Sequence, residues 1–377
     1  MNALVFISIN EQSCGMWRRY LAWAPTGLGE HVIVSLRIIR RPALAVLFLI
    51  LATGQAPAST LLTLGSGFNG PTGVAVDSQG DVFVADTNDN QIKEIVAVDG
   101  IIPASPTILT LGGSFVFSGP QDVALDGSGN LFVADTGNGQ IEELTLASGY
   151  ASPPAGQVFG AGALAQPVGI TVDAHGNVFA ADQANNAVYE LPAPSYSTVE
   201  TLGGGWGMAG GVAVDASGDV FVADLGAIGQ PGALWEILAA NAVPSDKTPP
   251  TQLALDGPAF GGLQGIGLDA AANVYVADVV ANVIYEVPAT GGYMAVNTVA
   301  TGFNIPVGID LDRFGNIYVA NAGSNSVQEI QFQVPVAAPT LGQGALILFF
   351  LLLAGTGLRF GALGSRRAGQ YRARFSE

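Results

Sequence analysis

One interval between acidic residues, repeated six times, constrains this chain more than any other feature. Asp77, Asp126, Asp173, Asp215, Asp269 and Asp312 are each followed nine positions later by Asp86, Asp135, Asp182, Asp224, Asp278 and, with one change of residue, Asn321. A glutamate closes each unit, at Glu94, Glu143, Glu190, Glu236, Glu286 and Glu329. Between the acids lie β-branched and aromatic runs such as Val74-Ala-Val76 and Val82-Phe-Val84. Turns containing glycine, such as Ser78-Gln-Gly80 and Ala174-His-Gly176, join them and predict hairpins.

Successive first aspartates are 49, 47, 42, 54 and 43 residues apart, the period of a propeller blade. Gln91–Ile95 alternates apolar residues as a third strand, and Ile108–Gly112 supplies a fourth. The expected fold is therefore all-β: a six-bladed β-propeller of four-stranded antiparallel blades, apolar on both faces because neighbouring blades cover them. Segments like the fourth strand occur at Leu61–Gly65, Gln157–Gly160, Val199–Gly203, Gln252–Asp256 and Thr298–Gly302. The first of these precedes blade 1, and none follows blade 6. Leu61–Gly65 is thus expected to complete the blade containing Asp312 and to remove the open sheet edge.

Composition agrees with many short strands and tight turns. Hydrophobic residues make up 49% and charged residues 11%, with 51 glycines and 21 prolines. The net charge of −17 is unevenly distributed, because ten of the 13 basic residues lie at or before Arg41 or at or after Arg359. Residues 59–335 hold three basic residues against 27 acidic ones, a net −24. That surface repels phosphates and argues against nucleic acid as a partner.

The two ends read as addresses. Arg37, Arg40 and Arg41 precede the apolar run 43–52, and Ala56-Pro57-Ala58 follows, the order of a signal peptide cleaved after Ala58. Residues before about Val34 fit no part of this signal, which places the start of the exported precursor near Val34 or Leu36. The lone cysteine, Cys14, lies upstream of the cut, so the mature chain is expected to have no thiol. Residues 341–358 carry no charge and are followed by Arg359, Arg366, Arg367, Arg372 and Arg374, as expected of a transmembrane helix whose basic tail stays in the cytoplasm. The expected organisation is an upstream and signal segment over 1–58, the propeller over 59–335, and an anchor segment over 336–377. The propeller then sits outside the cytoplasmic membrane, in the cell envelope or beyond it after processing.

The unit Pro71-x-Gly73-Val-Ala-Val-Asp77-x-x-Gly80-x-Val-Phe-Val-Ala-Asp86-x-x-Asn-x-x-Ile resembles the NHL repeat, over roughly residues 59–335. The unit with Asp224 departs from it, since Leu225–Gly232 lengthens the loop and removes its asparagine. Pro339-Thr340-Leu341, the apolar segment and the arginine tail resemble the IPTL-CTERM sorting signal, a relative of the PEP-CTERM signals handled by exosortase-type enzymes. Ala338 stands where that signal has isoleucine. The segment either stays as an anchor or is removed by a sorting enzyme.

In NHL-like propellers the loop after the second strand shares a face with the loop entering the first. The resemblance thus implies one rim holding Asp86, Asn90, Asp135, Asn138, Asp182, Asn186, Asp224, Asp278, Asn282, Asn321 and Asn325. Their oxygens are candidates for binding Ca²⁺ or a cationic or sugar ligand. The alternative for the recurring aspartates is to accept backbone N–H bonds and fix their own turns.

Enzymes of similar architecture include lactonase-type hydrolases, streptogramin lyases and an amidating lyase with a histidine-bound zinc. Only His31 and His175 are present, which excludes three-histidine zinc chemistry. His175 lies in the turn between first and second strands, away from the rim, so a Ser-His-Asp triad there is not supported. No Gly-Lys-Ser/Thr phosphate loop occurs. The expected function is an envelope-associated binding or scaffolding module for a protein, peptide or carbohydrate, with no cofactor unless Ca²⁺. The alternative is a metal-dependent, lactonase-like hydrolase or lyase at the channel mouth. The loop after Asp224 and the insertion 240–251 are the asymmetric features expected to set specificity.

Overall fold

The computed structural model describes residues 4–9, 18–23, 59–113, 116–150, 157–239 and 250–332. The signal-like run with Ala58, the segment 341–358 and the motif at Pro339, Thr340 and Leu341 lie outside these residues, as does most of the insertion after Ala239. Among the described residues no helix is long and apolar enough to cross a membrane. Leu4–Ile9 and Arg18–Trp23 pair antiparallel in a two-stranded sheet of their own.

Six four-stranded antiparallel sheets form the ring. Blade 1 comprises Pro71–Val76, Val82–Asp86, Gln91–Ile95 and Ile108–Leu111, ordered from the channel outward. Blade 2 repeats the plan with Pro120–Leu125, Leu131–Asp135, Gln140–Leu144 and Gln157–Phe159. Blades 3, 4 and 5 begin with the inner strands Pro167–Val172, Ala209–Val214 and Leu263–Leu268. In blade 6, Pro306–Leu311, Ile317–Asn321 and Ser326–Phe332 are completed by Ser59–Leu64 from the start of the domain. The closure expected from the sequence is present over six registered pairs, from Val327↔Leu64 to Phe332↔Ser59. Inner strands pack in sequence around the ring, the sixth against the first.

The second strands carry the burial: Val82–Asp86, Leu131–Asp135, Val178–Asp182, Val220–Asp224 and Ile317–Asn321 are buried at every position. Both faces are covered, which explains why these strands read as continuous apolar runs. Phe83 with Val123 and Leu131 fills the junction of blades 1 and 2, and Val74, Val84 and Leu64 with Tyr318 and Val327 fill that of blades 6 and 1. One such apolar cluster occupies each of the remaining junctions.

The expected outer strand Gln252–Asp256 is shorter in the structure, covering only Thr251–Gln252. The chain leaves blade 4 after Leu253, and Asp256 N–H donates to Met294 O of blade 5 at 2.6 Å, so that neighbour ends the strand. Connections alternate between two faces. The rim face carries the loops from second to third strands and those entering each inner strand; the opposite face carries the first hairpins.

Candidate functional site

The two aspartates of each repeat work as fasteners. On the face opposite the rim, Asp77 Oδ1 accepts Gln79 N–H at 2.8 Å and Asp81 N–H at 2.9 Å. Asp126, Asp173, Asp215, Asp269 and Asp312 accept from the same two positions. The short carboxylate thereby closes the hairpin. His175 is exposed in one of these turns, facing away from the rim.

On the rim face, the nine-later residues are between 0% and 4% exposed, and each reaches the loop entering its own blade. Asp86 accepts Asn69 N–H at 2.7 Å, Asp135 accepts Ser118 N–H at 2.8 Å, and Asn321 accepts Asn304 N–H at 2.8 Å. Asp182 holds Ala165 and Gln166 N–H, Asp224 holds Gly207 and Met208 N–H, and Asp278 holds Gly261 and Gly262 N–H. The structure places all six on one face and turns each into its own loop. Burial raises the carboxyls of Asp86 and Asp135, with Lys93 opposing the shift at Asp86 and Ser118 N–H opposing it at Asp135.

The asparagines join neighbouring blades instead. Asn90, Asn282 and Asn325 have left-handed backbones, and their Oδ1 atoms accept N–H bonds from Gly119, Ile305 and Gly70 of the next blade at 2.6, 2.7 and 2.7 Å. Asn186 is also left-handed and donates to Trp206 O of blade 4. Asn138 does not belong to this set: Gly139 occupies the left-handed position in blade 2, with φ +63°. Asn138 lies one place earlier, and its Nδ2 donates to Asp135 Oδ2 at 2.6 Å and Val116 O at 2.9 Å.

Two channel carboxylates escaped the sequence reading because they interrupt the repeat. Inner strands carry glycine at Gly73, Gly169, Gly211, Gly265 and Gly308, but Asp122 at that place in blade 2. The glycines permit close approach: a Cβ at Gly265 would stand 2.1 Å from Val307 O, and one at Gly308 2.3 Å from Thr72 O. Asp310 replaces the small or hydroxylic residue Ala75, Ala124, Thr171, Ala213 or Gly267. Asp122 Oδ2 accepts Ile170 N–H at 3.0 Å, and Asp310 Oδ2 accepts Val76 N–H at 2.8 Å, each from the following blade. Both line a cavity of about 300 Å³ in the channel. Burial pushes Asp122 up to about 7 and Asp310 to about 6. Aligning the six repeats position by position exposes both residues.

The rim also presents apolar tips over blades 4 to 6. Ile228, in the long loop after Asp224, is 100% exposed; Val280 is 66% and Ile305 47% exposed. Gly262 lies between Leu225 and Val280, with its Cβ position 3.0 Å from the former side chain and 3.3 Å from the latter. The Asn282–Ile305 bond extends this arc to blade 6. The lengthened loop thus places Ile228 on the same rim arc as Val280 and Ile305.

The NHL repeat family matches residues 68–95 and 117–143, in blades 1 and 2. No curated protein is similar in sequence. Among solved structures, a gluconolactonase from Xanthomonas campestris superposes with a TM-score of 0.57 at 14% identity, over 81% of this chain and 98% of that one. A streptogramin B lyase superposes with a TM-score of 0.52 at 12% identity, over 74% of this chain and 100% of that one. An auxiliary nutrient binding protein from Bacteroides thetaiotaomicron gives 0.56 at 11% identity, over 73% and 77%. At these identities the likeness is one of fold. The chain is a six-bladed β-propeller carrying NHL repeats.

Proposed function

We propose that this propeller is an exported, envelope-associated binding module that takes a protein or peptide on its rim face. The observation that carries the reading is the set of exposed apolar tips Ile228, Val280 and Ile305 on neighbouring rim loops fastened by Asp224, Asp278 and Asn282. Exposed apolar side chains on a rigid base lose little conformational entropy when covered, the arrangement that favours association. The signal-like and anchor-like ends support the export part of the proposal. A lactonase-like site needs free carboxylate oxygens converging at the channel mouth, whereas the rim aspartates already accept N–H bonds from their own loops; binding is therefore the favoured reading.

The test pairs two double variants of the full-length protein in photo-crosslinking to an envelope fraction. Ile228→Asp with Val280→Asp should abolish a specific crosslinked species, while Met294→Asp with Phe314→Asp, exposed on the opposite face, should leave it intact. Equal behaviour of the two variants would refute a rim-face site.

A further inference from the structure

The repeat compares its own blades, and blades 1 and 2 differ in charge at one buried place. Seven positions after Asp86 stands Lys93; seven after Asp135 stands Glu142. Both occupy the same register in the third strand, Lys93 opposite Val84 and Glu142 opposite Val133, diagonal to the rim aspartate on one face of the sheet. In blade 1 the Lys93 ammonium fills a nest of oxygens: it donates to Asp86 Oδ2, to Gly67 O at 2.7 Å and to Asp89 Oδ2 at 3.3 Å. The counterparts in blade 2 are Asp135 Oδ2, Val116 O and the side chain of Asn138. The oxygens of the nest therefore recur, with the neutral Asn138 amide donating to two of them where blade 1 has an ammonium.

Glu142 deepens the imbalance. It is only 2% exposed; Gln140 Nε2 donates to its Oε1 at 2.8 Å, while Oε2 meets no donor and the carboxyl stands within hydrogen-bond reach of Asp135. Other blades place a neutral group here: Trp235 Nε1 donates to Asp224 Oδ2 at 3.3 Å, and Gln328 Oε1 accepts from Asn321 Nδ2 at 2.8 Å. Only in blade 2 does a carboxylate meet the rim carboxylate. An unpartnered buried acid oxygen carries a large desolvation cost and calls for a positive charge.

We propose that blade 2 binds one Ca²⁺ between Asp135 and Glu142, where blade 1 holds the Lys93 ammonium. Two carboxylates balance the charge of a divalent ion, and Val116 O adds a hard neutral oxygen of the kind Ca²⁺ accepts. Asn138, whose amide now donates into the nest, supplies Oδ1 by turning over. Mg²⁺ is disfavoured because it demands a near-ideal octahedron and is bound through one or two carboxylates plus substrate phosphates rather than by a set of protein oxygens such as this. The site lies inside a single blade and does not depend on the binding role proposed above.

The experiment measures Ca²⁺ binding by equilibrium dialysis and thermal melting on the purified full-length protein at pH 8, after EDTA treatment. The expected result is one Ca²⁺ per chain and a melting temperature that rises with Ca²⁺ concentration. Glu142→Gln should weaken Ca²⁺ binding at least about tenfold. Glu142→Lys restores the arrangement of blade 1, so it should bind no Ca²⁺ and melt, in EDTA, above the EDTA-treated parent. A parent with no bound Ca²⁺ would overturn the proposal in favour of a shared proton. Undiminished binding in Glu142→Gln would overturn it by placing the ion elsewhere.

Discussion

Removing residues 59–64 tests the closure of the ring most directly. The strand makes six registered pairs with Val327–Phe332, and an antiparallel ladder of that length contains about six N–H···O bonds. At a net contribution of about 0.5–1.5 kcal/mol each, they supply about 3–9 kcal/mol. Leu64, 4% exposed in the cluster shared by blades 6 and 1, adds about 1.5–3 kcal/mol, whereas half-exposed Leu61 and Leu62 add less. The total of about 5–12 kcal/mol approaches the whole stability of an ordinary domain. The deletion should therefore melt far below the intact chain, and amides of Ser326–Phe332 should exchange quickly. Trp206 and Trp235 pack at the junction of blades 3 and 4, away from the deleted strand, so loss of native tryptophan fluorescence at the same denaturant concentration would show that the ring unfolds as one unit. A shift below about 1 kcal/mol, with 326–332 still protected, would refute closure as the source of stability.

Other expectations follow from individual side chains. Asp182→Ala leaves the N–H groups of Ala165, Gln166 and Asn185 without their acceptor, and should cost roughly 3–5 kcal/mol in chemical denaturation; Asp173→Ala, whose turn is open to water, should cost about 1 kcal/mol. Ala272 has φ +60° where the other blades have Gly80, Gly129, Gly176, Gly218 and Gly315, so Ala272→Gly should raise stability by about 0.5–1 kcal/mol, measured as a higher denaturation midpoint. Asp122 is raised from 3.8 to about 7, so the folded state holds more protons than the unfolded one across that interval. Its contribution therefore makes stability fall as pH rises from about 4 to 7, and Asp122→Asn should flatten the melting profile there; an unchanged slope would refute the assignment.

The repeat makes much of the fold legible in the sequence. The nine-residue interval places a hairpin between each pair of acids, and the surplus strand before blade 1 implies closure, because strand pairing is local and a ring must balance its strands. The outer strand of blade 4 was less legible, because Asp256 is drawn off by Met294, about forty residues later in the chain. Asp122 and Asp310 were visible as departures from the repeat, but their place on the channel wall depends on the tilt and stacking of inner strands.

What the sequence by itself determined was the order, number and periodicity of the strands, since these follow from side-chain alternation and turn chemistry within a few residues. What only the tertiary structure decided was the direction of the polar groups. Asp86 and its counterparts face inward because burying a second strand on both sides leaves its final carboxylate within reach of the loop 16 or 17 residues upstream. Lys93 and Glu142 share a register, but whether that place holds an ammonium or a carboxylate with one oxygen short of a donor acquires meaning only when the fold buries it.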